Sequence, residues 1–202
     1  MLTTLHKNKK ALFGGGILVG LAALAFNGAF FTTRTTDTLL PEFPGIYREW
    51  GQNLKEGILV NEQACNGTGS YDFANVIGAR DSYRVDLSSI PDNSVIKKIR
   101  IIPCASLNQL LPSDEPTAMN VFYRFNNIQS ADKGNYVLTG TTPRTLYATT
   151  FDGLLLPVIT SAPRASGRSD STLEIGAVLS SGIGGARLSR IATIITYTAL
   201  SE

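Results

Sequence analysis

The chain is short of the residues that most catalysis relies on. Its one histidine, His6, comes ahead of an uncharged apolar run, so no histidine is left beyond that run for a Ser-His-Asp or Cys-His arrangement. Two cysteines and that isolated histidine are too few for the usual nitrogen and sulfur zinc site. No G-x-S-x-G elbow occurs, and Lys97, Lys98 and Lys133 sit in strand or turn settings unsuited to a Ser-Lys pair. Gly182-Ile183-Gly184-Gly185 is glycine-rich but joins strand to strand, so no helix N-terminus follows it to hold a phosphate. Charge is sparse too, at 17% of the 202 residues. The basic residues are scattered apart from Lys97-Lys98-Ile99-Arg100, which reads as a solvated strand face, and nucleic acid is excluded as a partner.

What the chain does have is a long apolar run. Residues 11–31, ALFGGGILVGLAALAFNGAFF, carry no charge and follow Lys7, Lys9 and Lys10. About 20 apolar residues suffice for a helix to cross a bilayer. The lysines ahead of the run place residues 1–10 on the cytoplasmic side as a basic tail. The run then reads as a transmembrane helix in the lipid bilayer. It reads equally as a signal peptide, with Ala23-Leu24-Ala25 as its cleavage site. Either way the remainder is exported. Gly16 and Gly20 form a G-x-x-x-G pair, the spacing that lets two membrane helices, or two copies of this one, pack closely. The Lys9-Lys10-Ala11-Leu12 junction is similar to the processing site of type IV pilin-like precursors, without the Gly before the cut and the Glu after it.

Both cysteines, Cys65 and Cys104, lie beyond the run, and an even count in an exported domain reads as one disulfide. The alternative is two separate buried thiols. Asn66-Gly67-Thr68 is a glycosylation sequon on the exported side, to be used where the host glycosylates.

Residues 32–45 are rich in Thr and carry Pro41 and Pro44, the composition of a linker. The domain is then 46–202. A short helical turn is expected near IYREWGQNLKEG, with Trp50 packed against the domain. From Tyr71 the pattern is β. Tyr83, Val85 and Leu87 alternate with Arg84 and Asp86, and the Ile90–Ser94 turn leads into a strand over Val95–Ile102 that Pro103 should end. Ala105–Ala118 is expected as a loop, and Met119–Phe125 as another alternating strand. Leu173, Ile175, Ala177 and Leu179, then Ile191, Thr193, Ile195 and Tyr197, read as two arms of a hairpin closed by Ser180–Gly185. With roughly eight short strands, turn signals between them and no amphipathic helix after residue 60, the fold class is mainly β. The architecture expected is an antiparallel β-sandwich, jelly-roll-like, behind an N-terminal apolar helix.

The run DSYRVDLSSIPDNSVIKKIRII, closed much later by RLSRIATIITYTAL, resembles β-sandwich domains of secreted and surface-attached microbial proteins. That resemblance implies structural, adhesive or sugar-binding roles. The chain shows no aromatic platform of the kind that marks carbohydrate-binding members.

For chemistry, only carboxylates remain. Asp81 with Asp86, or Asp114 with Glu115, could serve acid–base roles on a glycan, though solvated surface carboxylates are the expected state. Asp72, Asp81 or Asp86 could hold calcium, but no D-x-D-x-D-G loop is present. No catalytic residue, metal or cofactor is assigned. The expectation is a non-catalytic, membrane-anchored or exported envelope protein of structural or adhesive role. Subunit of a larger assembly is the alternative, whether a pilus-like filament, an accessory part of a membrane complex or a membrane-associated jelly-roll capsid protein. The slightly positive mean hydropathy of +0.06 favours that alternative. An exported glycan-active enzyme comes last.

Overall fold

The computed structural model describes residues 30–53, 65, 71–109, 116–159 and 170–200, and among these every regular element is a strand. Residues 33–199 form one compact unit, and 1–32 with 200–202 another, of which only Phe30–Thr32 and Leu200 are described. In chain order the strands begin with β1 (Phe31–Thr35), β2 (Pro41–Arg48), β3 (Gly51–Asn53), β4 (Tyr71–Ala74) and β5 (Arg80–Val85). There follow β6 (Val95–Leu107), β7 (Ala118–Phe125), β8 (Ile128–Gln129), β9 (Lys133–Val137) and β10 (Arg144–Thr145). The last four are β11 (Thr149–Phe151), β12 (Leu156–Pro157), β13 (Leu173–Ser181) and β14 (Ala186–Leu200).

Two antiparallel sheets face each other. The first runs β10-β6-β14-β4-β3, with β11 and β12 also lying along β6. The second runs β2-β5-β13-β7-β8, with β9 also on β7. The chain passes repeatedly from one sheet to the other: β4 and β6 lie in the first, β5 and β7 in the second, and β13 of the second is followed by β14 of the first. The period-2 pattern in each strand turns its apolar set inward. Ile99, Ile101, Ile191 and Ile195 of the first sheet are fully buried, as are Leu173, Ile175 and Leu179 of the second.

Two bulges preserve that alternation where it would otherwise slip. The register of β14 on β6 shifts between Leu188 and Arg190, so Leu188 and Ile191 both stay inside; Lys97 of β6 is skipped opposite Thr196 and Tyr197, so Ile96 and Ile99 do the same.

Several expectations are corrected. The arms around Ser180–Gly185 face inward as read, but they form no hairpin: β13 pairs with β5 and β7, while β14 pairs with β6 and β4. The glycine-rich stretch is an arch from one sheet to the other. Gly182 has φ +85°, and a Cβ there would overlap Thr117. Pro103 does not end its strand. It lies at the break between β10, which pairs at Cys104 and Ala105, and β11, which pairs at Ile99–Ile101. The missing N–H therefore costs no ladder bond, and the Pro103 carbonyl still accepts from Leu146 N at 2.9 Å. The strand continues to Leu107, so residues 105–107 are not loop.

No helical turn forms over residues 46–53, which belong to β2 and β3. The segment 32–45, expected as a linker, supplies β1 and the start of β2; Thr36 N bonds Ile195 O and Leu39 pairs with Thr193. Trp50 is buried, its indole N–H donating to Ala79 O at 2.9 Å. Cys65 and Cys104 are joined by a disulfide across 39 positions of sequence. On the chain-entropy view a closure of that length stabilises by about 3–4 kcal/mol. Among the described residues no helix is long and apolar enough to cross a membrane. Residues 11–29 of the apolar run lie outside the described residues.

Candidate functional site

Strand β5 sends consecutive residues to opposite faces, and Asp81, Ser82 and Tyr83 build two different polar clusters. Asp81 and Tyr83 point inward, where β4 brings Asp72 against them from the other sheet. The Tyr83 hydroxyl lies 2.6 Å from Asp72 Oδ2 and 3.1 Å from Asp81 Oδ2. All three side chains are buried, at 2–3% exposure. One phenolic proton cannot serve two carboxylates, and two bare charges in contact would repel at low dielectric. The arrangement is closed by a second proton. Burial drives the Asp81 carboxyl up to about 8, and the neighbouring Asp72 charge adds to this. Burial also raises Asp72, against the opposing pull of its Tyr83 hydrogen bond, its contact with Asp81 and the Arg48 charge. The Tyr83 phenol is held well above its ordinary range by burial and by both acids. At neutral pH, Asp81 holds a proton, Tyr83 donates to Asp72, and Ser82 N donates to Asp81 Oδ1 at 3.1 Å.

On the opposite face Ser82 meets Glu174 of β13. Glu174 Oε2 accepts from Ser82 Oγ at 2.9 Å, from Ile46 N at 3.1 Å and from Arg124 Nη1 at 3.1 Å. The Arg124–Glu174 ion pair is buried, with both side chains 9% exposed. β2 slips register on β5 between Pro44 and Arg48, and the extra residues Gly45–Tyr47 fold over this face as a strap. Gly45 is required there, because a Cβ would overlap Ser82 Oγ and crowd Glu174. Tyr47 N donates to Ser82 Oγ, its ring takes the Arg124 guanidinium at 5.5 Å, and its edge meets Phe122. Arg80 covers Phe122 at 5.1 Å and makes a two-point pair with Asp132.

The described surface carries an exposed tyrosine ring held in place by its neighbours. Tyr147 is 64% exposed yet fixed: its ring packs on Tyr136 at 4.6 Å and its hydroxyl donates to Gly134 O. Tyr136 is anchored in turn by Tyr147 O at 2.9 Å and by Thr149 Oγ1. An exposed ring locked at both ends presents a flat apolar face with little conformational entropy left to lose. Elsewhere a cleft of about 380 Å³ is lined by Thr38, Glu42, Asp86, Ser88 and neighbours, and an apolar groove of about 280 Å³ by Tyr123, Phe125, Ile128, Leu155 and Pro157.

The structure separates the carboxylates considered together from sequence. Asp86 is exposed and bonded to Ser88, which holds it below the usual carboxylate range. Asp81 is not a surface acid, and its partner is Asp72 rather than Asp86. Among the described residues no three His, Cys, Asp or Glu side chains gather as a metal site would need. Gly16, Gly20, Asn66, Asp114 and Glu115 lie outside the described residues. Tyr83, Glu174, Arg124 and Tyr147 were not singled out from sequence. Parity was the available signal for the acid pair, since Asp81 shares its phase with Tyr83, Val85 and Leu87.

The fold and its internal acid pair define an antiparallel β-sandwich whose strongest titrating groups face its own core. No protein-family model matches the chain, and no curated protein matches it. Among solved structures it is similar to the CBM36-1 domain of a multidomain xylanase from the hindgut metagenome of Trinervitermes trinervoides, at 13% identity over 80% of this chain and 96% of that one, with a TM-score of 0.36. It is similar also to the xylan-binding module CBM15, at 12% identity over 86% and 99%, with a TM-score of 0.38.

Proposed function

We propose that this chain is an exported, non-catalytic module of a cell surface, a jelly-roll-like sandwich tethered through its N-terminal apolar segment and used for adhesion to glycan. The observation that carries this reading is the fixed, exposed Tyr147 ring on Tyr136, which suits the apolar face of a sugar ring better than it suits chemistry. Support for export comes from the Cys65–Cys104 disulfide, a bond that persists in oxidising compartments. Support for a binding role comes from the acid pair, whose members both meet the Tyr83 hydroxyl inside the sandwich instead of facing a substrate.

Retention of the full chain on a panel of insoluble polysaccharides tests the reading. Tyr147→Ala should abolish retention while costing about 1 kcal/mol of stability, the worth of one aromatic pair. A wild type retained on no polysaccharide, or a variant retained equally, would reject glycan adhesion. A second reading, subunit of a larger assembly, is favoured by Ile128 and Leu155, exposed at 75% and 72% on the apolar groove. A monodisperse monomer in detergent would count against it.

A further inference from the structure

The β3–β4 pair forms one edge of the first sheet. β3 bonds only to β4, and β4 meets β14 at three positions, Ala74 with Ala186, Phe73 with Arg187 and Asp72 with Leu188. Its charged link to the second sheet is Asp72, seated against Tyr83 and Asp81 of β5, beside the neutral anchors of Trp50 on Ala79 O and Gly78 N on Leu179 O. We propose that the proton shared by Asp72 and Asp81 is a latch, and that its loss in mildly alkaline solution frees β3–β4 from β5 while the rest of the sandwich stays closed.

The geometry gives the reason. With the proton in place, each acid oxygen facing the cluster has a partner. Without it, two buried charges converge on one hydroxyl, and their repulsion acts across the gap between the sheets. The groups that face the pair are few. From β2 comes Arg48, register partner of Asp81 and exposed to solvent, which favours the Asp72 charge. From β5 come Tyr83 and the Ser82 N–H. Glu49 is bonded to Arg80 N, and the Arg80 guanidinium is directed to Asp132. Arg187 of β14 lies over Tyr71 at 3.9 Å, and β13 turns Glu174 to the far side against Arg124. Arg48 is therefore the one cation weighing on the pair among the described residues, too exposed to neutralise a second buried carboxylate. Opening would bare the main-chain edge of Ala186–Leu188, and the Cys65–Cys104 bond keeps the chain between β3 and β4 fastened to β6, so closure is reversible.

Hydrogen exchange of the full chain, corrected for the intrinsic dependence of exchange on pH, tests the latch. Linkage to one proton, held at about 8 in the closed fold and near the ordinary aspartate value once opened, predicts that protection of residues 71–74 falls roughly a hundredfold from pH 6 to pH 9 and levels off above pH 8, while residues 121–125 of β7 are unchanged. Asp81→Asn, which keeps the shape of the protonated acid, should flatten the profile at 71–74. Asp72→Asn removes the second charge but leaves Asp81 buried, so it should weaken the pH dependence at 71–74 without abolishing it, serving as the check if the first variant folds poorly. A wild-type profile flat at 71–74, a loss of protection equal in β7, or variants that follow the wild type would each overturn the proposal.

Discussion

The two faces of β5 each bury carboxylates and accommodate them by opposite means. On the outer face Glu174 keeps its charge company with Arg124 and collects two further donors, Ser82 Oγ and Ile46 N. On the inner face no cation among the described residues is buried with Asp72 and Asp81, and the Tyr83 hydroxyl lies against both. A charge-paired site is insensitive to pH near neutrality and depends on keeping both partners. A proton-sharing site keeps its partners and depends on solution conditions. The strap Gly45–Tyr47 belongs to the first kind and the β3–β4 edge to the second.

Breaking the outer pair should have the largest effect. Arg124→Ala leaves Glu174 buried without its cation and should cost about 3–5 kcal/mol in chemical denaturation, whereas replacing both residues with apolar ones of similar volume should cost far less. Next comes the pH dependence of the inner pair. Burial pushes the Asp81 carboxyl up to about 8 in the fold, against an ordinary 3.8 in the unfolded chain, so the folded state holds a proton that the unfolded chain has released. Its contribution is fully present below about pH 4, declines as pH rises towards 8, and is gone above that. Thermal unfolding of the wild type should therefore shift downwards from pH 5 to pH 8.5, and Asp81→Asn should remove most of that shift. Asp86, held low by Ser88, acts with the opposite sign and only in the acid range. The smallest change is Gly45→Ala, in which the added methyl meets Ser82 and Glu174 and should cost about 1–3 kcal/mol without altering the pH profile.

Much of this was legible in the sequence as direction, little of it as partnership. Alternation placed Leu173, Ile175, Ala177 and Leu179 inside, and likewise Ile191, Thr193, Ile195 and Tyr197. It could not tell that the two runs lie in different sheets, because side-chain phase reports the face a residue takes and not the strand beside it. The Ser180–Gly185 arch has the composition of a hairpin turn, and only pairing distinguishes them. Pro103 misled for a related reason: whether a missing N–H matters depends on a break in the neighbouring strand some 40 residues away in sequence. The acid pair joins residues from β4 and β5 in different sheets, and Tyr147 meets Tyr136 as a tilted ring pair brought together across 11 positions of sequence. Only the phase of Asp81 with Tyr83 and Val85 hinted that this acid is internal. Glu174 has the phase of an outward residue and is buried because the strap covers it, a tertiary event with no local signature.

The most direct measurement is a titration of the side-chain carboxyl carbons by NMR, with Asp81 and Asp72 assigned through their Asn variants. A shared proton predicts that Asp81 titrates with a midpoint of about 8, with Asp72 also displaced above the ordinary aspartate range. Midpoints near 4 for both, with the domain folded throughout, would mean that two bare charges sit together inside the sandwich and would contradict the account.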